Sequence, residues 1–203
     1  GDALGEIKFW KEFPSGPRKD ATYNPKILEG NKEGGKLLDW WDESIPEQQP
    51  MFCAFTISED GGDYDYTKPA NTSLMTNDHR HRLIRYSEVL LWYAEAQARA
   101  DGTPNAMAYE CINQVRERAG LTAENNIDLD IILKESACEM FGNGYRRMDL
   151  RRTGKLVEYN DKYNPHMIGT AAATIGEKLL WPIPQAAIDA NGQLSMEDQN
   201  PGY

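Results

Sequence analysis

The sequence predicts a mainly α protein with a loop-rich, irregular part and little β structure. Three observations carry this. Residues 82–120 read as two antiparallel helices joined by a tight turn. Residues 128–141 repeat the helical spacing once more. Residues 1–78, by contrast, show no sustained helical periodicity and are rich in Gly, Pro, Asn and Asp. At 203 residues the chain can bury a sizeable core. Its formal charge of −10 excludes a general binder of nucleic acid or anionic membranes, because phosphate would repel it. Neutral partners such as sugars and peptides stay open. No stretch approaches the ~18 apolar residues of a membrane span.

Residues 1–78 are too aromatic for a disordered linker: Phe9, Trp10, Phe13, Tyr23, Trp40 and Trp41 all fall here. They predict an ordered, loop-rich layer, with a short strand around 51–57 (MFCAFTI) and an exposed turn-forming loop from Asp60 onward. In the first helix of 82–120, Leu83, Tyr86, Leu90, Ala94 and Gln97 mark one face. Ile84, Val89, Leu91, Trp92, Tyr93 and Ala96 add apolar surface elsewhere, so this helix needs cover on several sides. Asp101-Gly102 ends it. Thr103 is the expected N-cap of the second helix, with Pro104 in its first turn. There Ala108, Ile112, Val115 and Ala119 form a clean stripe, with Glu110, Asn113 and Glu117 outside it. The pair has the length and shape of one tetratricopeptide-like hairpin, without an evident repeat at that period.

Further along, Leu129, Ile132, Leu133, Ala137, Met140 and Phe141 are expected to face inward from 128–141, with Gly142 and Gly144 breaking the helix. A short helix is expected over 146–153, stopped by Gly154. Residues 155–178 read as irregular. Trp181-Pro182-Ile183-Pro184 holds an extended piece, followed by a helical turn over 185–190. The three cysteines, Cys53, Cys111 and Cys138, lack metal-ligand spacing. Cys111 and Cys138 are expected as buried free thiols.

Several residues are candidates for chemistry. Adjacent Trp40 and Trp41, followed by Asp42 and Glu43, could stack on the apolar face of a pyranose while carboxylates bind its hydroxyls. The plainer reading puts one indole in the core. Tyr64 and Tyr66 sit two apart in an acidic turn; if extended, that piece would show both rings on one side. Asp60, Asp63 and Asp65 could hold a hard cation, but their spacing is not that of an EF-hand. His79 and His81 lack a third ligand, and a solvated turn explains them better. Glu88 and Glu95 lie about 10 Å apart along one helix, slightly beyond the ~6.5–9.5 Å of an inverting glycosidase pair. Ion pairs with Arg85, Arg116 or Arg118 are the expected role, and Arg146, Asp149, Arg151 and Arg152 are read in the same way. No metal site, phosphate loop or nucleophile elbow is expected.

Four blocks resemble one known family. RYSEVLLWYAEA (85–96) is similar to the RYAEVLLMYAEA signature of the SusD/RagB family, and INQVRERAGL (112–121) follows it as in that family. EMFGNGYRRMDLRR (139–152) resembles the family's EL-x-x-EG-x-R-x-x-DLRR element. LWPIP (180–184) and QNPGY (199–203) resemble its terminal blocks. The likeness covers 82–203. Ser136 stands where the family usually has Arg, and Asn143 where it has Glu. The resemblance implies a SusD-like fold in which 1–78 is the variable part and 79–203 the helical C-terminal region of one domain. It implies a non-catalytic, cofactor-free protein of the outer-membrane surface that binds an oligosaccharide or other nutrient. It also implies a SusC-like TonB-dependent transporter as partner, a lipidated N-terminal cysteine outside this chain, and an N-terminal helical half, likewise outside it, as packing partner. Trp40, Trp41, Tyr64 and Tyr66 are the expected glycan-binding residues; a tetratricopeptide-like peptide adaptor is the alternative.

Overall fold

The computed structural model describes residues 6–24, 26–39, 65–69 and 83–203. The strand expected at 51–57 lies outside the described residues. The chain forms two compact units, Gly1–Gly144 and Tyr145–Tyr203. As the sequence predicts, the fold is mainly helical with little β.

In the first unit, α3 (Tyr86–Asp101), α4 (Ala106–Arg118) and α5 (Leu129–Glu139) pack on one another. The expected α4 stripe of Ala108, Ile112, Val115 and Ala119 is buried. The face of α3 differs from expectation. Glu88, Leu91, Ala94, Glu95 and Ala98 turn inward, while Leu83 and Tyr86 are exposed. A helix apolar nearly all round has no single face that periodicity can select. The buried face carries the small Ala94 and Ala98, which let the neighbouring helices approach closely.

Gly102, left-handed at φ 76°, closes α3. The N-cap of α4 is Asn105, two residues beyond Thr103: its Oδ1 accepts from the Ala108 N–H at 2.9 Å. Asparagine is among the strongest caps, and Thr103-Pro104 is left to span the turn. Asp128 caps α5 by accepting from the Ile131 N–H at 2.8 Å. Of the residues expected to face inward from α5, Ile132, Leu133 and Met140 are buried, whereas Leu129, Ala137 and Phe141 are half-buried. Cys138, Glu135 and Glu139 take buried positions instead. Cys111 and Cys138 are buried and outside any disulfide.

The N-terminal stretch holds more regular structure than its composition suggests. Two short helices, α1 (Ile7–Glu12) and α2 (Pro17–Thr22), precede an antiparallel pair of strands, β1 (Ile27–Leu28) and β2 (Leu37–Leu38), in which Ile27 faces Leu38. Helices of six residues are too short to leave a periodic signal. Glu6 caps α1, its carboxylate accepting from the Lys8 and Phe9 N–H groups. Among the described aromatics of this stretch, Phe13 and Tyr23 are buried, and Phe9 and Trp10 are half-buried and pack against them. Phe13 meets Phe9 and Tyr23 edge-on, and Phe9 stacks on Phe141 at 5.6 Å beside the end of α5. Gly120, at φ 75°, sits where a Cβ would be 3.0 Å from Pro17 Cδ, so the turn after α4 can meet the start of α2 only at a glycine.

The second unit contains α6 (Arg146–Arg152), α7 (Leu156–Tyr163), α8 (Ala171–Ile175) and α9 (Gln185–Ala190). Helices α6 and α9 fall where expected. Helices α7 and α8 correct the expectation that 155–178 is irregular. Their shared core is small, Leu150, Leu156, Ala171 and Ile175, and neither helix fills a window long enough to reveal its period. The extended WPIP piece is held by side-chain amides. Gln199 Oε1 accepts from the Ile183 N–H at 2.7 Å, its Nε2 donates to the Ile183 carbonyl at 2.9 Å, and Asn200 Nδ2 donates to the Trp181 carbonyl at 2.6 Å. Among the described residues no helix is long and apolar enough to cross a membrane.

Candidate functional site

Of the four expected glycan-binding residues, Trp40, Trp41 and Tyr64 lie outside the described residues, as do Asp60, Asp63, His79 and His81. Tyr66 is half-buried at the second position of a tight turn. That turn is built by Asp65. Its carbonyl accepts from the Lys68 N–H at 3.1 Å, and its Oδ1 accepts from the Thr67 N–H at 3.0 Å. The Thr67 hydroxyl also donates to Oδ1, and Lys68 Nζ lies 3.2 Å from Oδ2. The Thr67 hydrogen bonds, with Lys68 beside them, hold the Asp65 carboxyl below the usual range. Asp65 thus fixes the turn that displays Tyr66, and both its oxygens are occupied. Among the described residues, no three His, Cys, Asp or Glu side chains converge as a metal would need.

The most developed polar constellation lies elsewhere. Glu135 and Glu139 stand one turn apart on α5, their side chains only 3% and 2% exposed. Glu135 accepts from Arg18 Nη1 at 2.6 Å and from Arg116 Nη1 at 3.0 Å. Glu139 accepts from Arg118, and from Arg18 Nη1 at 3.4 Å. Arg85 approaches the same carboxylate at 3.9 Å and donates from Nη2 to the Glu139 carbonyl at 2.7 Å. Burial opposes the charge on Arg18, but Glu135, with Cys138 and Glu139, raises its pKa above the ordinary value. Four arginines, from α2, the start of α3 and the second half of α4, therefore converge on one face of α5.

This corrects the expected partners of Glu88 and Glu95. Arg85, Arg116 and Arg118 go to α5, and Glu95 meets Arg99 one turn along its own helix at 3.4 Å. The i, i+4 spacing of Glu135 and Glu139 was visible in the sequence. Arg18 was not linked to it, because 117 residues separate Arg18 from Glu135. In α6, Asp149 receives Arg152 at 2.9 Å across an exposed surface, and Arg146 lies over the Tyr159 ring at 5.0 Å. The buried ion pairs expected for Arg152 and Asp149 are surface contacts instead.

The hairpin of α3 and α4, clamped by arginine to the buried acids of α5, defines a helical scaffold whose motif residues mostly hold the fold together. Arg85 belongs to the RYSEV block, Arg116 and Arg118 to INQVRERAG, and Glu139 opens EMFGNGYRRMDLRR. The chain belongs to the SusD family, which matches residues 62–203. It is 28% identical, over 191 residues, to the SusD-like protein P38 of Formosa agariphila, a match covering 88% of this chain and 36% of that protein. Among solved structures it resembles a SusD homolog from Bacteroides thetaiotaomicron with a TM-score of 0.62 and 23% identity, covering 97% of this chain and 42% of that one. It also resembles surface glycan-binding protein A from Bacteroides uniformis, with a TM-score of 0.58 and 21% identity, covering 96% and 40%. The chain thus spans roughly two fifths of the length of these relatives, and at such identities the structural likeness shows the fold.

Proposed function

We propose that this chain is part of a non-catalytic cell-surface protein that binds a nutrient glycan and delivers it to a SusC-like TonB-dependent outer-membrane transporter. The SusD family match over 62–203 carries this reading. The shared fold with a surface glycan-binding protein supports it. On this reading Trp40, Trp41, Tyr64 and Tyr66 supply the sugar platform: aromatic faces stack on pyranose rings and nearby carboxylates bind hydroxyls. The turn fixed by Asp65 presents Tyr66. A lipidated cysteine outside this chain anchors the protein, and 1–78 and 79–203 work together as one domain.

Calorimetry of the full-length protein against a glycan panel tests the proposal. Binding without turnover is expected, with a marked loss on replacing Trp40, Trp41, Tyr64 and Tyr66 together by alanine. Unchanged binding in that variant would remove the site assignment but leave glycan binding intact. Cleavage of the bound glycan would overturn the non-catalytic role. One observation favours a second reading, a peptide-binding helical adaptor: Tyr86, Val89, Trp92 and Tyr93 form an exposed apolar face on α3. Binding of an amphipathic peptide, lost on Trp92→Ala, with no affinity for any glycan, would select it.

A further inference from the structure

The second unit displays two aromatic rings, each with a cation beside it. Trp181 is 65% exposed and Tyr203 is 50% exposed. The Arg147 guanidinium lies 5.9 Å from the centre of the Trp181 ring, and Lys178 Nζ lies 5.3 Å from that of Tyr203. The two pairs sit on adjoining segments. Asn200 Nδ2 donates to the Trp181 carbonyl, and a Cβ on Gly202 would come within 2.9 Å of Lys178 Cγ. The backbone beneath the indole is held in place: Pro182 and Pro184 fix φ on either side of Ile183, and Gln199 bonds both polar groups of Ile183. A large aromatic face on a rigid frame loses little entropy when it binds.

The charges are uncompensated. Among the described residues neither Arg147 nor Lys178 has a carboxylate within salt-bridge distance. Asp149 is bound to Arg152, and Asp198 accepts from the N–H and hydroxyl of Ser195. The unit as a whole carries seven basic and seven acidic residues. Exposed rings flanked by free cations suit a ligand with an apolar face and an anionic edge.

We infer that Trp181, Arg147, Tyr203 and Lys178 form a binding surface for an acidic saccharide, whose C–H face stacks on the indole while its carboxylates meet the guanidinium and ammonium. This rests on the proposed glycan-binding role and deepens it by naming a ligand class and a place apart from Trp40, Trp41, Tyr64 and Tyr66.

The test is calorimetry of the full-length protein with uronic-acid oligosaccharides and neutral gluco-oligosaccharides of equal length, at low and high salt. The variants are Trp181→Ala, Trp181→Phe and the double Arg147→Gln/Lys178→Gln, each checked for fold by circular dichroism. The uronate should bind more tightly at low salt, since exposed charges are screened. Trp181→Ala should weaken it about tenfold, the equivalent of ~1.4 kcal/mol, and Trp181→Phe less. The double variant should weaken it and abolish the salt dependence. Uronate affinity unchanged in both Trp181→Ala and the double variant overturns the surface. So does binding of neutral sugars alone, which leaves the glycan-binding role standing. No binding of either class overturns the surface, and no binding across the whole glycan panel overturns the glycan-binding role as well.

Discussion

The two compact units keep themselves folded in different ways. Among the described residues, the buried charged groups, Glu88, Glu95, Glu135 and Glu139, all belong to the first unit, and arginines from distant segments close over the last two. The second unit relies on a small apolar core and on side-chain amides that hold its extended tail. Their surfaces differ too. Seven of the chain's 22 basic residues and seven of its 32 acidic residues fall in 145–203, so the net charge of −10 resides in the first 144 residues. The contrast shows where each unit is vulnerable. A buried carboxylate shared between arginines is costly to break, because its partners stay behind, unpaired, in a low-dielectric site. A small apolar core loses the transfer free energy of the removed side chain and bears the cavity it leaves, with no charge stranded.

The sharpest way to break this contrast is Glu135→Ala. It removes the shorter carboxylate contact of Arg18, leaving only Glu139 at 3.4 Å, and the buried carboxylate of Arg116, two side chains that are largely buried. The expected loss is ~3–5 kcal/mol in denaturant titrations followed by near-ultraviolet circular dichroism. A loss under ~1 kcal/mol would make the cluster an ordinary surface network. Next, Leu156→Ala should cost ~2–5 kcal/mol, read by hydrogen exchange as lost amide protection in α7 and α8. A smaller effect follows from Gln199→Ala, which removes two hydrogen bonds to Ile183. About 1–2 kcal/mol is expected, and the WPIP amides should exchange faster.

The smallest effect at neutral pH belongs to Tyr23→Phe. Among the described residues the buried Tyr23 hydroxyl has no hydrogen-bond partner, and burial, with Cys138 and Glu6 nearby, pushes its phenol well above the usual range. Deleting that buried, unpaired hydroxyl relieves its desolvation cost and should raise stability by about 1 kcal/mol or less near pH 7. Above about pH 10 the unfolded chain gives up its phenol proton while the folded chain keeps it. Stability of the parent protein must therefore fall as pH rises, and Tyr23→Phe should flatten that fall. Equal slopes in the two proteins would show that the ring is wetter than its packing indicates.

The long elements were legible because their signals are local and repeated. The α4 stripe, the Gly102 end of α3 and the Gly154 stop each reside in a few neighbouring residues. Misreadings cluster where a signal is short or ambiguous. Helices of five to eight residues escaped notice in α1, α2, α7 and α8. The buried face of α3 could not be chosen from a helix apolar on every side. For the candidate sites, Tyr66 lies in a turn, as the turn-forming composition from Asp60 onward predicts, while the role of Asp65 as the clamp of that turn is visible only in its hydrogen bonds. The aromatics Phe9, Phe13 and Tyr23, equally able to form a platform or a core from composition alone, are core.

By itself the sequence determined the helical class, the hairpin of α3 and α4, the extended WPIP piece and the resemblance to the SusD family, since each is written in residues close together along the chain. Only the tertiary structure decided which carboxylates the arginines neutralise, which face of α3 is covered, and that Trp181 and Tyr203 stand exposed beside cations. These are pairings between residues remote in sequence. Charge and apolar surface seek partners in space, and a one-dimensional pattern records which residues need a partner without recording which one each will find.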